Sequence, residues 1–266
     1  MVSSPSPSHA DGAALPGRGA ALPGRGSALR NATGTRFTRV LGIATLIGIG
    51  WLFLFGLFLS PDDIVQRKGV RIMYIHVPSA WLAYLAFIVT GVASAAYLWK
   101  RTRSLVWDRV AAASAEVGLV FMAITLITGS LWGRLSWGSY WVWDARLTTT
   151  AFLFATYVGY LAVRGLGGSH QQRARRSAFV AVFAAFEIPL VHFSVERWNG
   201  LHQQESVAKG KLEDLMLFSL FSGIISFTLL YTWLLIHRQR VLAMQDALED
   251  RGLDLALAER QSEAVG

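Results

Sequence analysis

Six uninterrupted apolar runs, at roughly 41–59, 79–98, 111–131, 147–164, 178–195 and 215–236, constrain this 266-residue chain more than any other feature. Each approaches the ~20 residues a helix needs to cross a hydrocarbon core about 30 Å thick. Within lipid, backbone N–H and C=O groups must be satisfied inside the protein, so only helices and closed barrels span it. Barrel strands alternate apolar and polar residues in segments of about ten, and these runs do not. The sequence predicts an all-α polytopic membrane protein with six transmembrane helices.

Charge sets the orientation. The chain is 53% hydrophobic yet carries a net charge of +8. Lys and Arg of polytopic proteins collect in cytoplasmic segments, so the excess calls for a lipid bilayer and for no nucleic acid. With the N-terminus inside, the cytoplasmic segments hold seventeen Lys/Arg and the outer loops eight. Without the four distant arginines at 18, 25, 251 and 260 the balance is still thirteen to eight. Both termini are therefore expected in the cytoplasm.

Residues 1–40 are Ser, Pro, Gly and Ala rich and repeat AALPGRG at 13–19 and 20–26, so they are expected to form a disordered cytoplasmic arm. Their first thirty residues hold no compact apolar stretch with a cleavage site, so no removable signal peptide is expected there. A membrane domain over 41–237 and a helical cytoplasmic tail over 238–266 complete the expected organisation. Cysteine is absent, which excludes disulfides, thiolate ligands and covalent haem attachment to the chain. A metal could be held only by His, carboxylate or Met.

The aromatic residues are unevenly spread. Four of ten tryptophans (132, 137, 141 and 143) fall in one outer segment around "WGSYWVWDARLT", residues 137–148. His76, in "YIHVPSAW", and His202, in "ERWNGLHQQES", map to the two other outer segments. Two imidazoles on separate segments, with indoles between them, suit a haem clamped from both faces. The arginines at 134, 146 and 197 would suit its propionates.

Each of these features also has a simpler explanation. Trp and Tyr enrich at membrane interfaces as aromatic belts. A histidine at a helix end is commonly a hydrogen-bonded structural group. Asp144 stands where an N-cap of the fourth span would. His192, inside the fifth span three residues after Pro189, reads as a packing group or one that orients a ligand. Glu116 and Glu187 lie within spans, where a carboxylate either lines a route or makes an interhelical hydrogen bond. From the residues alone, belt and haem platform both stand.

A resemblance discriminates between them. "WGSYWVWDARLT" is similar to the Trp-rich signature of the haem-handling proteins of cytochrome c maturation. "MYIHVPSAW" and "HFSVERWNGLHQ" resemble the first and third outer loops of the heme exporter protein C family, and the resemblance covers about residues 41–240. It implies non-covalent, b-type haem with His76 and His202 as axial ligands, and a platform of Trp137, Trp141, Trp143 and Asp144. Trp132, Tyr140 and Arg146 join the candidate haem contacts. It also implies a multi-pass protein of the bacterial plasma membrane that is no enzyme. Such a protein binds haem at the outer face and delivers it to a membrane-tethered periplasmic haem chaperone. Its further implied partners are a small one-span subunit and an ABC-type ATPase/permease complex. Arg197 departs from the pattern, since a tryptophan is expected there.

Two other classes remain at this point. A diheme b-type electron-transfer subunit would need histidines inside spans at both depths, and the inner half has none. A haem-attaching cytochrome c synthase would be a distant relative, since this chain is short and has no large outer domain.

Overall fold

The computed structural model describes residues 34–198, 200–202 and 213–265. The tandem repeat of the arm lies outside them. The described residues form α1 (Arg36–Leu52), α2 (Met73–Leu98), α3 (Leu105–Trp137), α4 (Ala145–Gly165), α5 (His170–Ala185), α6 (Glu187–Arg197) and α7 (Asp214–Val265). A π-helical turn, Phe53–Leu59, prolongs α1, and a 3-10 turn, Lys68–Ile72, leads into α2. Five segments are long and apolar enough to cross a membrane: Arg36–Leu59, Lys68–Leu98, Leu105–Trp137, His170–Arg197 and Asp214–Ala264. The remaining helix, α4, has spanning length at 21 residues but is diluted by four threonines. It packs against α3, α5 and α6. The chain is an all-α polytopic membrane protein.

Helix boundaries depart from the apolar runs in three places. Helix α1 begins at Arg36, five residues before its run, because polar residues end a hydropathy signal without ending a helix. Helix α2 begins at Met73, so Pro78 sits inside it rather than in its first turn. The fifth run is broken at Phe186 into α5 and α6. Pro189 has no N–H to offer the Ala185 carbonyl four residues back, and the break falls there.

Between membrane helices there is little hydrophobic driving force, so close packing and hydroxyl bonds hold them. A Cβ on Gly118 of α3 would stand 2.7 Å from the Phe87 ring of α2, so glycine permits that approach. Phe87 stacks on Tyr157 of α4 at 3.6 Å between ring centroids, and the Tyr157 hydroxyl donates to the Phe87 carbonyl at 3.1 Å. Ser114 of α3 lies 2.6 Å from the Ala86 carbonyl and 2.7 Å from the Tyr231 hydroxyl of α7, joining three helices.

Three carboxylates bond across helices, two of them to arginines and Glu187 through one oxygen to a threonine. Asp108 of α3 takes a bidentate bond from Arg164 of α4 at 2.5 and 2.7 Å, with Asp108 buried and Arg164 largely so. Glu116 is held by Arg238 of α7, and Glu187 accepts from Thr156 at 2.9 Å. Both glutamates therefore make interhelical bonds. At the same end as Asp108, Arg109 and Arg173 bind Asp246, and His170 bonds Asp250 at 3.0 Å, fastening α7 to α3 and α5.

Candidate functional site

Helix α3 outruns its apolar stretch at the opposite end. Its 33 residues measure ~50 Å at 1.5 Å each, well beyond a ~30 Å core. Gly133, Arg134 and Ser136 interrupt the hydropathy but not the helix, which ends at Gly138 in a left-handed conformation with φ 77°. Glycine adopts that conformation without a Cβ clash. Arg134 donates to the Gly138 carbonyl. Trp132 and Trp137 therefore stand on a helix, and the aromatic loop proper is only residues 138–143.

Asp144 then caps α4, its Oδ1 accepting from the Leu147 N–H at 2.8 Å. Its Oδ2 accepts from the His202 N–H at 3.3 Å, tying the segment after α6 to the start of α4. Gly200 permits this approach, since a Cβ there would stand 3.0 Å from Oδ2. The second bond separates tether from cap experimentally. Asp144→Asn keeps a capping oxygen but turns an amide NH₂ toward the second N–H. Loss of a hydrogen bond to a charged acceptor, about 1.5–3 kcal/mol, should speed exchange of the His202 amide roughly tenfold or more while α4 stays protected. Equal exchange in wild type and variant, read by hydrogen–deuterium exchange, would disprove the tether.

Among these elements opens a cavity of about 120 Å³. Helix α2 contributes His76, Ala80 and Tyr84; α3 contributes Thr125, Gly129, Trp132 and Trp137; α4 contributes Arg146, Leu147 and Thr150. Trp141 enters from the aromatic loop and His202 from beyond α6. Six of the residues singled out in the sequence thus face one space. Three do not: Asp144 acts through the backbone it holds, while Tyr140 and Trp143 are 59% and 80% exposed. Tyr140 lies under the Arg134 guanidinium at 5.7 Å, and Trp143 meets Trp141 edge-on at 5.5 Å.

The two imidazoles are framed by indoles. His76 meets Trp132 edge-on at 5.6 Å, and Trp132 Nε1 donates to Gln66 Oε1 at 2.8 Å. His202 meets Trp137 edge-on at 6.3 Å. Two polar atoms of cavity residues, Trp141 Nε1 and Arg146 Nε, are buried and make no hydrogen bond among the described residues. Arg146 Nη2 donates to the His192 carbonyl at 3.1 Å. The His192 ring is exposed beside Phe193, so His192 neither packs in the core nor lines the cavity through its side chain. Arg197 ends α6 exposed, away from the cavity wall.

A second cluster could hold a metal: His170, Asp246 and Glu249 lie with ligand atoms within 4.8 Å of one another. Arg173 already bonds both acids, which makes the cluster an ion-pair network.

The family model described as Heme exporter protein C matches residues 25–252. Proteins of that name are similar over most of the chain. The one from Bradyrhizobium diazoefficiens is 40% identical over 201 residues, 73% of this chain and 74% of that protein. Those from Haemophilus influenzae and Escherichia coli are 33% and 35% identical, covering 80% and 77% of this chain and 87% and 82% of theirs. The chain belongs to the heme exporter protein C family. Every cavity residue falls inside the part that matches the heme exporter protein C model.

Several lining residues of this heme exporter protein C family member were not singled out from sequence: Tyr84, Thr125, Gly129 and Thr150. A signal exists for some of them. Thr125, Gly129, Trp132 and Ser136 recur at three- and four-residue spacing, which puts them on one face of α3.

Proposed function

We propose that the cavity binds haem as cargo, with His76 and His202 as axial ligands, for delivery in the maturation of c-type cytochromes. The observation that carries this reading is the convergence of two imidazoles, three tryptophans and Arg146 on one cavity. The residues fit the ligand's chemistry. Imidazole nitrogens suit its iron, indole faces its ring, and the unpartnered Trp141 and Arg146 N–H groups its carboxylates. Family membership supports a non-enzymatic role in an ABC-type exporter complex, with a membrane-tethered haem chaperone and a small one-span subunit as further partners. The charge bias supports cytoplasmic termini and a cavity opening at the outer face of the bacterial plasma membrane.

Haem titration of the purified full-length protein tests the reading. One haem per chain should bind, with a six-coordinate low-spin spectrum. Trp141→Ala should weaken binding by ~1–3 kcal/mol, the scale of stacking on an aromatic face. Trp143→Ala should cost far less, because its ring is outside the cavity. Wild-type affinity in Trp141→Ala would return the tryptophans to an interfacial belt.

A further inference from the structure

The edge of the cavity holds a feature that the haem-ligand reading does not use. His76 Nδ1 lies 3.0 Å from the Thr128 hydroxyl oxygen on α3. That hydroxyl lies 2.7 Å from the Ile124 carbonyl, one turn back on the same helix, and 3.3 Å from that of Thr125. A hydroxyl has one proton to give, and both carbonyls are obligate acceptors. The Thr125 carbonyl also takes a hydrogen bond from the His76 ring, and with the hydroxyl proton given to Ile124 the arrangement favours the tautomer with the imidazole proton on Nδ1. Nε2 is then the nitrogen with the free lone pair.

The next residue makes the contact reachable. A Cβ on Gly129 would stand 3.0 Å from His76 Cε1 and 3.5 Å from Nδ1, so any larger residue would push the ring back by a few tenths of an ångström. Trp132, one turn further, meets the ring edge-on. The stretch "TGSLW", residues 128–132, is thus a seat built around one imidazole.

We propose that Thr128 is a positioning residue that fixes the His76 tautomer and raises the donor strength of Nε2. The proposal rests on the reading of His76 as a haem ligand. A ligating histidine whose other ring N–H is engaged is held in orientation and made more basic, and loss of such a partner commonly costs ten- to a hundredfold in affinity. The Thr128 oxygen is a stronger acceptor for donating to Ile124 at the same time.

The test uses the full-length protein loaded with haem in detergent. Thr128→Val keeps the shape and removes the acceptor, whereas Thr128→Ser keeps the hydroxyl. Thr128→Val should release haem to an acceptor apoprotein roughly tenfold faster or more, with a raised midpoint potential, because a weaker donor stabilises ferric iron less. Thr128→Ser should match wild type. In a His202→Ala background, where His76 is the remaining axial ligand, the ferrous iron–histidine stretch should fall in frequency on Thr128→Val. Should the valine variant not be recovered folded, Thr128→Ala against Thr128→Ser carries the same comparison. Unchanged release, potential and stretch, with His76→Ala still losing its axial ligand, would overturn the role of Thr128 and leave the haem site standing. An unchanged spectrum in His76→Ala would overturn the ligand assignment itself.

Discussion

Replacing His76 or His202 with alanine is expected to convert six-coordinate low-spin haem to a five-coordinate high-spin form and to stop delivery. Each proposed ligand comes from a different element, His76 from α2 and His202 from the segment beyond α6. Neither can stand in for the other, and removal of one vacates one face of the iron. Deleting one ring leaves a space of imidazole size in the cavity wall, which free imidazole can fill. Added imidazole should therefore restore the six-coordinate spectrum in both variants. His192→Ala is the internal control. Its ring is exposed, and the contact it makes to Arg146 uses the backbone carbonyl, which alanine retains. Loss of haem in His192→Ala alone, with recovery in imidazole, would move the ligand to residue 192.

The second large effect is on stability. Asp108 and Arg164 form a bidentate pair between α3 and α4, with side-chain exposures of 6% and 11%. Asp108→Ala leaves the guanidinium, among the described residues, a 3.3 Å bond to Ser177 and the more distant charge of Asp246. Breaking one side of a buried pair costs about 3–5 kcal/mol, because the other charge stays desolvated. The variant should lose a large part of its folded population in detergent, followed by thermal unfolding and size-exclusion chromatography. The double variant Asp108→Leu, Arg164→Met should recover most of that loss, since it leaves no stranded charge. A single variant as stable as wild type would show that the pair is solvated in the native protein. The cavity lies at the other end of α3 and α4, so haem spectra of any folded fraction should be unaltered.

Six apolar runs of spanning length could come only from membrane helices, because lipid forbids unsatisfied backbone, and that requirement is local to each run. The aromatic signature and the flanking histidine motifs are contiguous strings, so the heme exporter protein C family was legible without coordinates. Asp144 as an N-cap was legible for the same reason, since the cap depends on four consecutive residues, 144–147. Tertiary structure decided what depends on partners distant in the chain. Trp143 and Trp141 are two residues apart, yet only Trp141 faces the cavity. Asp144 reaches His202 across 58 positions, and His76 reaches Thr128 across 52. No periodicity encodes such pairs; they exist because helix packing brings the end of α3 and the starts of α2 and α4 to one side of the bundle.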